Sequence, residues 1–256
     1  MAYTPYDWQQ VLQQKADYVE DRLRQGSPVV AVSCQEGILL LTVRRNQRKI
    51  FEVYDRLAFS GLGQQSDLEA VRQVLVDFTH SEGFQRSTED VSIQRVVGLA
   101  ISPVLKRAFS DPTKIPLVLR GLFAQVEDRP EDDLFYTLDF DGEFSLVKNY
   151  AAVAGTDQAH QAMEKILSEL DTATSPENAF KGALQAWVAG RWQMRHGSEG
   201  EDKSNLGGSE SERKTLLRET LESANVEAAL LERDTHRERR FRLLDKEEIN
   251  RYMPRL

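Results

Sequence analysis

Positions 27 to 46, "SPVVAVSCQEGILLLTVRRN", constrain the fold of this chain more than any other stretch. Two β-branched and aliphatic runs are separated by Gln35, Glu36 and Gly37, which supply a turn, so the segment reads as a hairpin of two buried strands. Whatever precedes and follows it must therefore provide layers that cover those strands.

Ahead of the hairpin, Thr4 can cap free amides with Pro5 in the first helical turn. Trp8, Val11, Leu12, Val19 and Leu23 then fall near one face of a helix that Gly26 stops. Such a helix either docks on its own domain or packs against a neighbouring subunit. After the hairpin, "KIFEVYDRLAFSGLG" supplies two more short strands, ended by Gly61 and Gly63 where the chain must turn. Ser66 and Glu69 read as a capping box in front of Leu68, Val71, Leu75 and Phe78 at helical spacing. A second helical stretch spans about 90 to 109, with Pro103 as a kink or break.

Strands return at "IPLVLRGLFAQVE", "DLFYTLDF" and "EFSLVKNYAAVAG", and Asp141-Gly142 marks a hairpin between the last two. Helices follow over about 156 to 170 and 176 to 189. Residues 196–214 are rich in glycine, serine and charge, which predicts a disordered loop. "VEAALLERD" and "ERRFRLLDK" form a last strand pair turning near Thr235 and His236, and "EEINRYM" a short helix. Two strands cannot make a core alone, so this end must return to the main sheet. Paired helices between groups of antiparallel strands predict an α+β fold, two stacked sheets with helices outside, an α/β/β/α sandwich.

Composition narrows the function. With 41 acidic and 33 basic residues the formal charge is -8, which argues against general binding to nucleic acid or anionic membrane. Cys34 is the single cysteine, so no intrachain disulfide forms. No apolar run reaches the length of a membrane span, and "MAYTPYDWQQ" lacks the pattern of a signal peptide, which makes the cytoplasm the expected location. The four histidines, His80, His160, His196 and His236, show no metal-ligand spacing, so no metal is expected. Phosphate-loop, dinucleotide and nucleophile-elbow motifs do not occur, and no cofactor is expected. The arginines of "DTHRERRFR" read as a solvated turn rather than a phosphate site, given their acidic neighbours.

Taken in order after the first helix, "SPVVAVSCQEGILLL", "KIFEVYDRLAFSGLGQQSDLEAVRQ" and "AALLERDTHRERRFRLLDKEEI" resemble a proteasome α-type subunit of the 20S core particle, in its bacterial, actinobacterial-like branch. The resemblance covers most of the chain and implies the same four-layer sandwich, the fold of N-terminal-nucleophile hydrolases. It divides the chain into a pore segment and ring-packing helix (1–26), the sandwich core (27–195), the loop (196–214) and a strand pair with helix that completes the sandwich (215–256).

Active β-type members of this family expose a threonine as first residue, its own amine serving the general base, with an aspartate and a lysine nearby. Here the junction is "RQGSPVVAV", where Ser27 precedes Pro28, and a gapless overlay starting at Ser27 puts Val43 in the aspartate's place. The lysine falls at Lys49 once a short deletion after Arg45 is allowed. The resemblance thus implies no catalytic residue in this chain, a non-catalytic subunit of a threonine-type endopeptidase complex. In α-type subunits the lysine lines a pocket between neighbours where activator C-termini dock, and a compact ammonium suits a terminal carboxylate. On the residues alone, Lys49 reads first as a solvated strand-edge charge, an order that the resemblance reverses, and Arg44, Arg45 and Arg48 read as a positive rim or as solvated.

By the same resemblance, Met1, Ala2, Tyr3 and Thr4 lie at an axial pore and restrict passage, and Trp8 and Val11 anchor a neighbouring subunit. Tyr54, Asp55 and Arg56 match the family's "YDR" stretch, either as a local ion pair or as part of the pocket. The implied partners are further copies in a seven-membered ring, β-type subunits, an ATP-dependent ring unfoldase and unfolded polypeptide. The rival reading is a self-processing peptidase, Anbu-like or HslV-like, that is cut after Gly26 and uses Ser27.

Overall fold

The computed structural model describes residues 5–171, 173–197, 206–235 and 239–254. Helix α1 (Pro5–Leu23) leads into a hairpin of β1 (Val29–Cys34) and β2 (Gly37–Arg44), then a second of β3 (Ile50–Tyr54) and β4 (Leu57–Gly63). Helix α2 (Gln65–Gln85) is followed by α3 (Ile93–Arg95), a π-helical turn (Val96–Ile101) and α4 (Ser102–Ser110). Next come β5 (Leu119–Gln125), β6 (Leu134–Leu138), β7 (Phe144–Val147) and β8 (Tyr150–Val153). Helices α5 (Asp157–Leu167), α6 (Pro176–His196) and α7 (Glu210–Leu221) precede β9 (Asn225–Glu232), β10 (Phe241–Leu243) and α8 (Lys246–Tyr252). The strands form two antiparallel sheets, ordered β10-β9-β2-β1-β8 and β3-β4-β5-β6-β7.

The central hairpin is covered on both faces. Val29, Ala31, Ile38 and Leu40 point between the sheets, against Ile50, Ala58, Leu122 and Ala229. Val30, Val32, Leu39 and Leu41 point outward, beneath Phe180, Ala183 and Trp187 of α6. Each such aliphatic side chain contributes about 1.5–3 kcal/mol on burial, and a strand covered on both faces has no reason to alternate. On the far side, Phe59 and Phe123, with ring centroids 5.0 Å apart, pack under Leu68, Val71 and Leu75 of α2. The result is the four-layer sandwich that the order of elements predicts.

Several local expectations change. "EFSLVKNYAAVAG" is two strands rather than one: β7 is the edge of the second sheet and β8 the edge of the first. Asn149 between them has φ 70°, a left-handed turn that asparagine tolerates, and the chain steps there from one layer to the other. The capping box at Ser66 and Glu69 does not form, because Gln64 is the N-cap and Ser66 already lies in the first turn. That helix start is held instead by Asp67, whose carboxylate accepts the Val118 amide at 2.8 Å. The second helical stretch is interrupted by the π-helical turn that ends at Ile101, and Pro103 sits directly after it in the first turn of α4, where the missing amide is tolerated.

The loop expected over 196–214 is shorter. Helix α6 runs through His196, and Ser209 with Glu212 makes a true capping box that starts α7 at Glu210. Residues 198–205 lie outside the described residues, as do Met1, Ala2, Tyr3 and Thr4. In α1, Val19 and Leu23 are fully buried, whereas Trp8 is 40% exposed. Lys15 on the same helix is buried and donates to the carbonyls of Phe109 (3.1 Å) and Asp111, closing the C-terminal end of α4. No described helix is long and apolar enough to cross a membrane.

Candidate functional site

A cleft of about 770 Å³ opens where β1 begins and β2 ends. Its walls come from the end of α1, the turn between β2 and β3, and the outer turns of α6 and α7. Ser27, Val43 and Lys49, the three positions that the hairpin overlay singles out, all line it.

Ser27 has no base. The Trp187 indole donates from Nε1 to the Ser27 hydroxyl at 3.1 Å, and the Thr42 hydroxyl lies 3.4 Å away while donating to the Pro28 carbonyl at 2.7 Å. An indole N–H is a donor only, so it can accept no proton from a nucleophile. In the uncut chain the Ser27 nitrogen is a peptide nitrogen, and the Gly26 carbonyl before it accepts from Arg191 at 2.8 Å. Val43, buried and apolar, has nothing with which to orient a lysine or stabilise its charge.

Lys49 stands just before β3, half-buried, and its ammonium has no hydrogen-bond or ion-pair partner among the described residues. Burial pushes its pKa down to about 8; the Glu227 carboxylate opposes that shift and the Arg191 guanidinium adds to it. The group therefore remains mostly charged at neutral pH. Arg45 and Arg191 line the same cleft, and Arg191 itself is held below its ordinary value by burial, then by Arg195 and Arg45. Arg195 has a loose partner in Glu219 at 3.9 Å, and Arg44 is taken by Glu227 at 3.1 Å. In a chain of net charge -8 this cleft is a local excess of positive charge, suited to an anion.

A sequence model of the proteasome subunit family matches residues 23–192, which include every one of these cleft positions up to Arg191. The chain belongs to the proteasome subunit family. Among similar relatives, "Proteasome subunit alpha" of Actinosynnema mirum is 28% identical over 92% of this chain and 81% of its own length. The proteins of the same name from Thermobifida fusca and Renibacterium salmoninarum are each 27% identical, over 96% and 94% of this chain and 88% and 91% of their own lengths. The proteasome resemblance carried by the hairpin, the "YDR" strand pair and the C-terminal strands is thus matched along nearly the whole sequence.

The other residues singled out in the sequence fall away from this proteasome-family cleft. Asp55 occupies the turn between β3 and β4, at the opposite end of β3 from Lys49, and Arg56 pairs with Glu127 at 3.4 Å. Tyr54 meets His80 edge to face. Of the arginines in "DTHRERRFR", Arg242 lies on β10 and is held by Glu232 at 2.8 Å and by Glu248 at 2.6 Å. Trp8 and Val11 lie on α1, one exposed and one half-buried, with no part in the cleft. Among the described residues, no group of three or more histidine, cysteine or carboxylate side chains is arranged to hold a metal. Cys34 is buried and its thiol is pushed up to about 11 by that burial, which keeps it protonated and unreactive.

Arg191, which lines the cleft, and Glu227, which lies buried behind Lys49, had no mark in the sequence reading. Arg191 sits on α6 beyond the stretch read as that helix, and Glu227 sits at the head of an apolar strand. A signal for Glu227 does exist: it shares the inward alternation of Ala229 and Leu231, so a charge there needs buried partners.

Proposed function

We propose that this chain is a non-catalytic α-type subunit that forms a seven-membered ring, stacks on catalytic β-type subunits and admits unfolded polypeptide through an axial pore. The observation that carries this reading is the state of the cleft: Ser27 bound to a donor-only indole, valine in the acid position, and an ammonium at Lys49 with no partner among the described residues. A peptidase built on this fold needs a nucleophile, a base and an orienting acid together. This cleft keeps only the cation, which suits capture of a terminal carboxylate from a docking ring unfoldase. Met1, Ala2, Tyr3 and Thr4 precede α1 and would reach the pore, while exposed Trp8 and half-buried Val11 would pack on a neighbouring copy. A cytoplasmic location belongs to the same reading.

The test is peptide hydrolysis by the chain alone and after mixing with a β-type partner. Activity is expected only in the mixture, and Ser27→Ala is expected to leave it unchanged. Hydrolysis by the chain alone that Ser27→Ala abolishes would instead establish the self-processing peptidase.

The shifted lysine also sets a pH dependence. Docking of a carboxylate needs the charged ammonium, which is full below the folded pKa of about 8 and lost as pH rises through it. Activator affinity is therefore expected to stay level from pH 6.5 to 7.5 and then to fall by up to about tenfold per pH unit, as one linked proton requires. Titration of activator-stimulated degradation against pH checks this, with hydrolysis of a short peptide as the control.

A further inference from the structure

We propose that Glu227 is the positioning residue for Lys49: its buried carboxylate, with the Ser60 hydroxyl, clamps the Lys49 backbone so that the ammonium stands free in the cleft. This inference rests on Lys49 as the receiver of an activator's terminal carboxylate.

Glu227 is only 5% exposed and points between the sheets, where a carboxylate must be compensated. The compensation comes from the segment that carries Lys49. One carboxylate oxygen accepts the Lys49 amide at 3.0 Å, the other accepts the Ile50 amide at 3.3 Å, and Arg44 Nε lies 3.1 Å from the first. From the opposite side, the Ser60 hydroxyl of β4 donates to the Lys49 carbonyl at 2.7 Å. Both polar groups of the Lys49 backbone are thus held by side chains.

The clamp is needed because of where the lysine stands. Strand β3 is an edge strand whose ladder with β4 begins only at Ile50 opposite Ser60, so no strand pairing reaches residue 49. The preceding residues, Arg45 to Arg48, are exposed, and their turn is held by Arg44, which donates to the Asn46 carbonyl at 2.8 Å, and by Gln65, which reaches the Arg48 carbonyl at 3.4 Å. Those bonds stop at residue 48, so without Glu227 and Ser60 the Lys49 backbone itself would be unheld, and docking would have to order it first, at a cost in affinity. Glu227 reaches Lys49 through the amide rather than the ammonium, so the acid fixes the lysine without neutralising it.

The charges facing Lys49 agree with this division of labour. From α6, Arg191 disfavours the ammonium; from β9, Glu227 favours it. Arg44 and Arg48, on and after β2, act mainly on Glu227, where they oppose the effect of its burial. Removing the carboxylate's charge should therefore do two things at once: loosen the Lys49 backbone and lower the pH at which docking is lost. Removing the Ser60 hydroxyl should do only the first.

The test uses rings assembled with a β-type partner and an octapeptide with the C-terminal sequence of the ring unfoldase under test and a free carboxylate, its binding read by fluorescence anisotropy. Glu227→Gln is expected to weaken binding about tenfold at pH 7 and to move the alkaline loss of binding to lower pH. Ser60→Ala is expected to weaken binding several-fold with the pH of loss unchanged. If Lys49→Ala abolishes binding while both variants bind as the parent does, the positioning role is overturned and the lysine's role stands. If Lys49→Ala and the amidated octapeptide bind as well as the originals, the docking reading fails first and takes this proposal with it. Should Glu227→Gln not assemble, Ser60→Ala decides alone, since it removes no charge, and unchanged affinity there overturns the clamp.

Discussion

Replacing Lys49 by alanine is expected to reduce activator-stimulated degradation of an unfolded protein about ten- to a hundredfold, with ring assembly and basal peptide hydrolysis intact. The magnitude follows from the interaction lost. A hydrogen bond to a charged group is worth about 1.5–3 kcal/mol net, and each 1.4 kcal/mol is tenfold in affinity. The lysine has no other task to lose, since its ammonium has no partner among the described residues. A ring repeats the site around its axis, so several weakened contacts compound and the loss of stimulation is steeper than that of one peptide. Lys49→Arg should recover only part of the activity, because a planar guanidinium is larger than the compact charge it replaces and would meet Arg191 across the cleft. Native mass spectrometry of each variant separates the two possible roles: intact rings with lost stimulation identify a docking residue, whereas lost rings identify a structural one.

Replacing Asp133 by alanine is expected to destabilise the fold by about 3–5 kcal/mol, the usual consequence of leaving a buried charge unpaired. Asp133 is fully buried between the loop before β6 and the end of β9. Its two oxygens take Arg233 in a bidentate pair at 2.8 Å each, the Ser33 hydroxyl at 2.8 Å and the Glu127 amide at 2.9 Å. Arg233 also donates to the Cys34 carbonyl at 3.2 Å. One carboxylate thus joins β1, β9 and the loop between β5 and β6, tying the two sheets together at one end. For a chain of this size the loss corresponds to a fall in Tm of about 10 °C, readable by thermal unfolding. The pair Asp133→Ala with Arg233→Met should restore much of that fall, because the main penalty is the orphaned guanidinium rather than the lost bond.

What was legible in the sequence, and what was not, follows from how each feature is encoded. The four layers could be read because local pattern carries them: apolar runs at residues 29–34 and 37–43, helical spacing at Leu68, Val71 and Leu75, and the Asp141-Gly142 turn. The step between sheets at Asn149 was hidden, since "KN" between two apolar runs is equally at home inside an edge strand. The start of α7 was hidden differently. Ser209 and Glu212 satisfy the capping pattern, but they stand in a stretch whose glycine, serine and charge content reads as a loop. The Ser66 and Glu69 pair has the same spacing and no cap, because Gln64 had already begun the helix; spacing alone cannot say which residue lies outside.

Part of the site was legible only through resemblance. Nothing local distinguishes Lys49 from a solvated strand-edge lysine; the hairpin overlay onto an N-terminal-nucleophile pattern brought it together with Ser27 and Val43, and all three line one cleft. The clamp beneath it was not legible at all. Glu227 bonds backbone amides 177 and 178 residues away, and an amide leaves no trace in a side-chain pattern. Trp8 fell on the apolar face of α1 by spacing, yet its ring is 40% exposed, because the buried part of the helix begins at Lys15 and continues through Val19 and Leu23.

The central claim, an uncut and inert ring subunit, is tested most directly by native mass spectrometry of the chain alone and again with a β-type partner. The account predicts a chain that keeps its residues before Ser27, assembles into seven-membered rings, and forms larger particles with peptidase activity only when the partner is present. A mass that begins at Ser27, with peptidase activity from this chain alone, would contradict it.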